Sequence, residues 1–89
     1  MNGPARDSTL TLVLGALRHV LGAEPALDAG TDLFAVPGFD SLALAELVAE
    51  LEDRIGGALD DALMTPDVFA TPSTIARGLV AASSTEETP

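Results

Sequence analysis

Gly38-Phe39-Asp40-Ser41-Leu42-Ala43-Leu44-Ala45-Glu46-Leu47-Val48-Ala49-Glu50-Leu51-Glu52-Asp53-Arg54-Ile55, residues 38–55, is the stretch from which the rest of the chain can be arranged. At about 100° per residue, Leu44, Leu47, Val48, Leu51 and Ile55 gather on one face, which predicts an α-helix with that face in a core. The opposite face carries Leu42, Ala45, Glu46, Ala49, Glu50 and Asp53, with Glu52 at its edge. Asp40 is the expected N-cap and Ser41 the first helical residue, because a carboxylate there accepts from free backbone N–H groups and suits the positive helix end. Gly56-Gly57 marks the stop. Leu42 is a large apolar residue pointing away from the core beside a hydroxyl and among acids. Single exposed leucines are ordinary, so its position alone does not imply binding.

Towards the N-terminus, residues 1–7 contain Gly3 and Pro4 and read as a flexible tail. Ser8 or Thr9 can cap a first helix whose stripe is Leu10, Val13, Leu14, Leu17, Val20 and Leu21, with Leu12 on the far side and Gly22 at its end. His19 sits off that stripe near the negative helix end, where a solvated histidine is the ordinary case, so no chemistry is assigned to it. Between Ala23 and Asp40 the period lapses, and Pro25, Gly30, Pro37 and Gly38 break any long element. Leu27, Leu33, Phe34 and Val36 are the expected anchors of this long connection. Asp28, Asp32 and Asp40 invite a calcium-loop reading, which fails: counted from Asp28, the sixth position is Leu33 instead of glycine and the twelfth is Phe39 instead of glutamate.

Towards the C-terminus, Ala58 to Pro66 reads as a connection and Pro66 to Phe69 as a short helical turn, with Phe69 packed inward. Thr71-Pro72 predicts an N-cap and first residue for a last helix with the stripe Ile75, Ala76, Leu79 and Val80. Residues 83–89 are polar and acidic and read as a disordered tail. The expected fold is all-α: a four-helix bundle of three longer helices and one short helix over residues 8–82, between two tails.

Composition narrows the function classes. The 89-residue chain is 47% hydrophobic but only 3% aromatic, so its core must be aliphatic. It has no cysteine, which excludes disulfides, thiolate metal sites and a cysteine nucleophile. Fourteen acids stand against four bases, all arginine (Arg6, Arg18, Arg54 and Arg77), for a formal net charge of −10. That balance argues against nucleic acid and anionic membranes and suits a partner with a basic patch, although acids also serve plain solubility. No apolar run reaches membrane-spanning length and the N-terminus has no signal-like apolar region, so a cytoplasmic protein is expected, and a net charge that keeps copies apart suits a monomer. One histidine and the absence of a G-x-S-x-G elbow leave Ser41 without catalytic partners. The lack of lysine removes a phosphate loop, and a single histidine removes a histidine zinc site. By elimination the chain is something bound or acted upon, not an enzyme; an acidic helical interaction module without covalent cargo is one such reading.

Gly38-Phe39-Asp40-Ser41-Leu42 resembles the phosphopantetheine-attachment motif of acyl and peptidyl carrier proteins. Asp32-Leu33-Phe34 resembles the segment ahead of that family's attachment serine, and Leu42 to Gly56 resembles its second helix in apolar spacing and acids. Phe69-Ala70-Thr71-Pro72-Ser73-Thr74-Ile75-Ala76 looks like the lead into the family's last helix, and the likeness spans about residues 9–82. The resemblance implies 4′-phosphopantetheine on Ser41, donated by coenzyme A through a phosphopantetheinyl transferase, with Asp40 as the cap beside it. A thioester on the arm would then carry an aminoacyl, peptidyl or acyl group between enzymes, as in nonribosomal peptide or polyketide pathways. Leu42, Ala45, Glu46, Ala49, Glu50, Glu52 and Asp53 would form the docking face for the transferase, for loading enzymes (adenylating or acyltransferase) and for downstream enzymes with basic patches. Ala45 and Ala49 are smaller than on fatty-acid-type carriers, and Phe39 stands where a small or polar residue is common. The chain resembles a discrete carrier of specialised metabolism.

Overall fold

The computed structural model describes the backbone of residues 3–23 and 25–87 and the side chains of 8–23 and 25–81. Three α-helices, α1 (Gly3–Leu21), α2 (Ser41–Ile55) and α3 (Pro72–Glu87), are joined by connections that contain 3-10 turns at Leu33–Ala35, Asp61–Leu63 and Val68–Ala70. No strand occurs among the described residues. The four-helix count is not reproduced. The short helix expected over Pro66 to Phe69 is a three-residue 3-10 turn, Val68–Ala70, whose preceding Asp67 makes no side-chain cap. Its Phe69 is nonetheless buried as expected.

Helix α1 takes in residues 3–7, which the sequence reading assigned to a tail, and α3 runs to Glu87. Pro4 is compatible with the first turn of α1, because its missing N–H would have had no intrahelical partner there. Helix α1 packs against both α2 and α3 and is the wall they share. Val13, Ala16 and Leu17 are its fully buried residues, and the rest of the core comes from Leu33, Phe39, Ala43, Leu47, Leu51, Leu59, Phe69, Ile75 and Ala76. All are apolar, and none of the described buried residues is polar.

The core face of α2 differs from expectation. Ala43, Leu47 and Leu51 are buried, whereas Leu44 and Val48 are half-buried and Ile55 is 42% exposed. The buried stripe is therefore turned by roughly 60° from the centre of the leucine-rich one. Helix α1 takes the Ala43 side of α2, where Gly15 meets Arg54 and His19 meets Glu50, and the Leu44 side meets the connections instead. Phe34, expected as an anchor, is also exposed, while its neighbour Leu33 is fully buried. Leu12 of α1, assigned to the far side, packs partly against the core.

The ends of the helices follow local chemistry. Thr71 and Thr74 form a reciprocal cap: the Thr74 N–H donates to Thr71 Oγ1 at 3.1 Å, and the Thr71 N–H donates to Thr74 Oγ1 at 3.0 Å. The Ser73 N–H donates to the Ala29 carbonyl at 3.0 Å and so ties the long connection to the start of α3. Gly56, with φ of 78°, ends α2 in the left-handed region, and the N–H groups of Gly56 and Gly57 both donate to the Glu52 carbonyl. In equilibrium urea unfolding, Leu47→Ala should lower stability by about 2–5 kcal/mol, because it empties the fully buried centre of the bundle. Leu42→Ala, at an exposed position, should change it by less than about 0.5 kcal/mol.

Candidate functional site

The site is built where the long connection enters α2. Pro37 and Gly38 occupy the two central positions of a turn closed by the Phe39 N–H on the Val36 carbonyl at 3.1 Å. Gly38 has φ of 91°, so a glycine is needed at the third position of this type II pattern. Phe39 then turns inward and is 8% exposed, which anchors the chain one residue before the cap. Asp40 is extended, and its carboxylate accepts from the Ala43 N–H at 2.9 Å. Its carbonyl accepts from the Leu44 N–H at 2.8 Å. These two bonds start the helix at Ser41.

Ser41 is exposed, and its hydroxyl has no hydrogen-bond partner among the described residues. A serine in the first turn commonly folds back on the backbone, but Asp40 already occupies the capping role. The hydroxyl is therefore presented to solvent. At this end of the helix the Ser41 and Leu42 N–H groups precede the intrahelical ladder and point outward with the positive end of the dipole. Beside them Leu42 is 67% exposed.

The residues of the expected docking face divide into two groups. Leu42, Ala45, Glu46, Ala49 and Asp53 are all exposed and form one continuous stripe down α2 from Ser41. Glu50 and Glu52 flank that stripe and are half-buried. The Arg54 Nε–H donates to Glu50 at 2.8 Å, and His19 Nε2 of α1 lies 3.7 Å from the other Glu50 oxygen. Gly15 makes room for this: a Cβ there would stand 3.1 Å from an Arg54 guanidinium nitrogen. Glu50 thus joins α1 to α2. Glu52 reaches forward seven residues and accepts from the part-buried Leu59 N–H at 2.8 Å, holding the connection after α2 in place.

Among the described residues, the carboxylates ahead of the site are likewise committed to the connection. Asp28 accepts from the Gly30 N–H at 2.9 Å and from the Thr31 hydroxyl at 3.1 Å, and Asp32 accepts from the Phe34 N–H at 3.2 Å. Sequence reasoning missed the roles of Gly15 and Leu59, since each depends on a contact between different elements, and it missed the Arg54–Glu50 pair although its four-residue spacing within α2 is local. It also missed an apolar groove lined by Phe34, Leu44, Met64, Thr65, Pro66 and Phe69. Only Leu44 of these lies on α2, and no sequence period connects it with residues 64–69.

No helix among the described residues is long and apolar enough to cross a membrane. The model of the family described as phosphopantetheine attachment site matches residues 11–79, which includes the turn, all of α2 and the first half of α3. Comparison with curated proteins and with solved structures gives no match.

The different duties of the acids are separable by stability. Glu52→Ala should cost about 1–3 kcal/mol in urea unfolding, because it leaves the Leu59 N–H unpartnered in a part-buried place. Arg54→Ala should cost less than about 1 kcal/mol, as its pair with Glu50 is partly solvated. Glu46→Ala should lie within about 0.5 kcal/mol of the parent.

Proposed function

The chain belongs to the phosphopantetheine attachment-site family, and from that premise we propose that Ser41 is the residue that takes the arm. Domains of this family hold 4′-phosphopantetheine covalently and act as carriers, not as catalysts. The observation that carries the assignment to Ser41 is its free, exposed hydroxyl in the first turn of α2, directly after the capping aspartate.

The residues present fit such a group. A phosphodiester on Ser41 Oγ would sit near the Ser41 and Leu42 N–H groups at the positive end of α2, the ordinary place for a phosphate on a helix. Asp40 is the nearest acid, but its carboxylate is engaged with the Ala43 N–H and the first turn of α2 contains no other acid. Phe39 and the Gly38 turn hold the backbone on the N-terminal side. When bound, the arm supplies a terminal thiol that carries a substrate as a thioester. The chain itself supplies a fixed attachment point and a surface by which enzymes recognise it.

That surface is the stripe of Leu42, Ala45, Glu46, Ala49 and Asp53. An exposed leucine beside small alanines gives an apolar contact, and Glu46 and Asp53 give the charge that steers a basic patch. Glu50 and Glu52 contribute to the field, but their first duty is to hold α1 and the following connection. The partners are a phosphopantetheinyl transferase, a loading enzyme (adenylating or acyltransferase) and downstream enzymes of a cytoplasmic biosynthetic pathway. The setting is nonribosomal peptide or polyketide synthesis, with the subtype left open by two opposed features: the Phe69 to Ile75 lead leans towards peptidyl or aminoacyl carriers, whereas Asp40 and the dense acids lean towards acyl carriers. The cargo is accordingly an aminoacyl, peptidyl or acyl group.

Incubation with coenzyme A and a broad-specificity phosphopantetheinyl transferase should raise the intact mass by one phosphopantetheine, and Ser41→Ala should abolish the gain. A gain that survives Ser41→Ala overturns the assignment. Glu46→Lys with Asp53→Lys should slow modification at least tenfold at low salt while leaving the unfolding midpoint in place, and added salt should narrow the difference.

A further inference from the structure

Helix α2 carries four acids, Glu46, Glu50, Glu52 and Asp53, and a single base, Arg54. The fold treats the acids in two ways. Glu52 is turned to the Leu59 N–H. The Glu50 side chain is only 20% exposed: one oxygen accepts from the Arg54 Nε–H at 2.8 Å, and the other lies 3.7 Å from His19 Nε2 of α1. Glu46 and Asp53 are exposed and make no ion pair among the described residues. Seven residues separate them, so they share a face and stand about 10.5 Å apart along the axis. Glu50 lies between them in height and roughly 50° further round, towards α1.

Arg54 is held in this place from both helices. Its Nε–H is on Glu50, and its guanidinium lies against Gly15 of α1, where a Cβ would stand 3.1 Å from a terminal nitrogen. Glycine is a weak helix former, and what its missing side chain admits here is this guanidinium. A partly solvated pair contributes little stability by itself, so the arrangement has more consequence for charge than for folding. With 34% of its side chain exposed, Arg54 also keeps a positive charge at the edge of the acidic stripe. From Glu46 through the Glu50–Arg54 pair to Asp53, that edge is negative, neutral and negative. A basic patch gains nothing net from the pair, and a cation placed over Arg54 is repelled.

We propose that Arg54 is a specificity-determining residue for the enzymes that dock on α2. It withdraws Glu50 from the docking face and disfavours a partner with a cation opposite the middle of the stripe. The inference rests on the α2 stripe being that face. The partner that fits is a basic surface with two cations about 10 Å apart, for Glu46 and Asp53, and no cation between them. Arg54 is about 20 Å along the axis from Ser41, so its effect belongs to docking and appears in KM while kcat stays in place.

The test follows phosphopantetheine transfer from coenzyme A by a broad-specificity transferase, read by intact mass at low salt. Arg54→Gln should lower KM by about twofold, the size expected of one unit charge about 10 Å from a partner cation in water. Arg54→Lys, which keeps the cation, should return KM to that of the parent. Adding Glu50→Gln to Arg54→Gln should take the gain away. Arg77→Gln makes the same change in net charge on α3, on the other side of α1, and should give no such gain. Salt of about 0.5 M should erase the differences. An Arg54→Gln chain with the parent KM, a gain that Arg77→Gln matches, or a gain that persists at high salt overturns the role of Arg54. The docking face stands in that case if Glu46→Gln and Asp53→Asn still raise KM. If those two also leave KM unchanged, the face lies elsewhere and the role of Arg54 falls with it.

Discussion

The hydrogen bond from the Ala43 N–H to the Asp40 carboxylate is the constraint on which the site depends. It fixes which residue begins α2, and every position on that helix is counted from there. With Ser41 first, its hydroxyl faces solvent, Leu42 stands exposed beside it, and Ala43 turns in towards α1. A start one residue later would rotate all of these by about 100° relative to the same core. The cap is itself held from behind, because Gly38 in the left-handed region reverses the chain and Phe39 is buried as its anchor. A residue at a helix start thus gains its precise position from the turn and the anchor behind it.

The acidic surface is less uniform than its charge suggests. Asp28, Asp32, Asp40, Glu52 and Asp60 each accept a hydrogen bond from a backbone N–H, and Glu50 pairs with Arg54 of its own helix and lies 3.7 Å from His19 of α1. Carboxylates used in this way satisfy N–H groups that a small, loop-rich domain would otherwise leave without partners. Glu46 and Asp53 stay exposed, on the same stripe as Leu42. A protein with a wholly apolar interior can therefore use its acids to close loops without burying a charge.

Much of this was legible in the residues themselves. Period and capping chemistry located α2 from Ser41 to Ile55, and Thr71-Pro72 located the start of α3. The same counting also separated the Leu42, Glu46 and Asp53 side of α2 from the core side. It failed where partners are distant in sequence. Ile55 belongs to the leucine stripe yet is exposed, because α1 packs on the Ala43 side of α2; Leu59 reads as loop yet is buried under the Glu52 bond. The expected short helix became a single 3-10 turn, Val68–Ala70, since a segment of that length gains too little from local hydrogen bonds to impose a regular helix on the packing around it.

What the sequence by itself determined is what local chemistry controls: an all-helical chain, the cap and first turn that present Ser41, and a strongly acidic net charge. These follow from side chains acting within one or two turns of their own backbone. The tertiary structure alone decided which flank of α2 is core, that Glu50 and Glu52 hold the fold together, and that Phe34, Leu44, Met64 and Phe69 meet in one apolar groove. Those outcomes depend on how closely helices and connections approach, and that distance is set by the packing of the whole core.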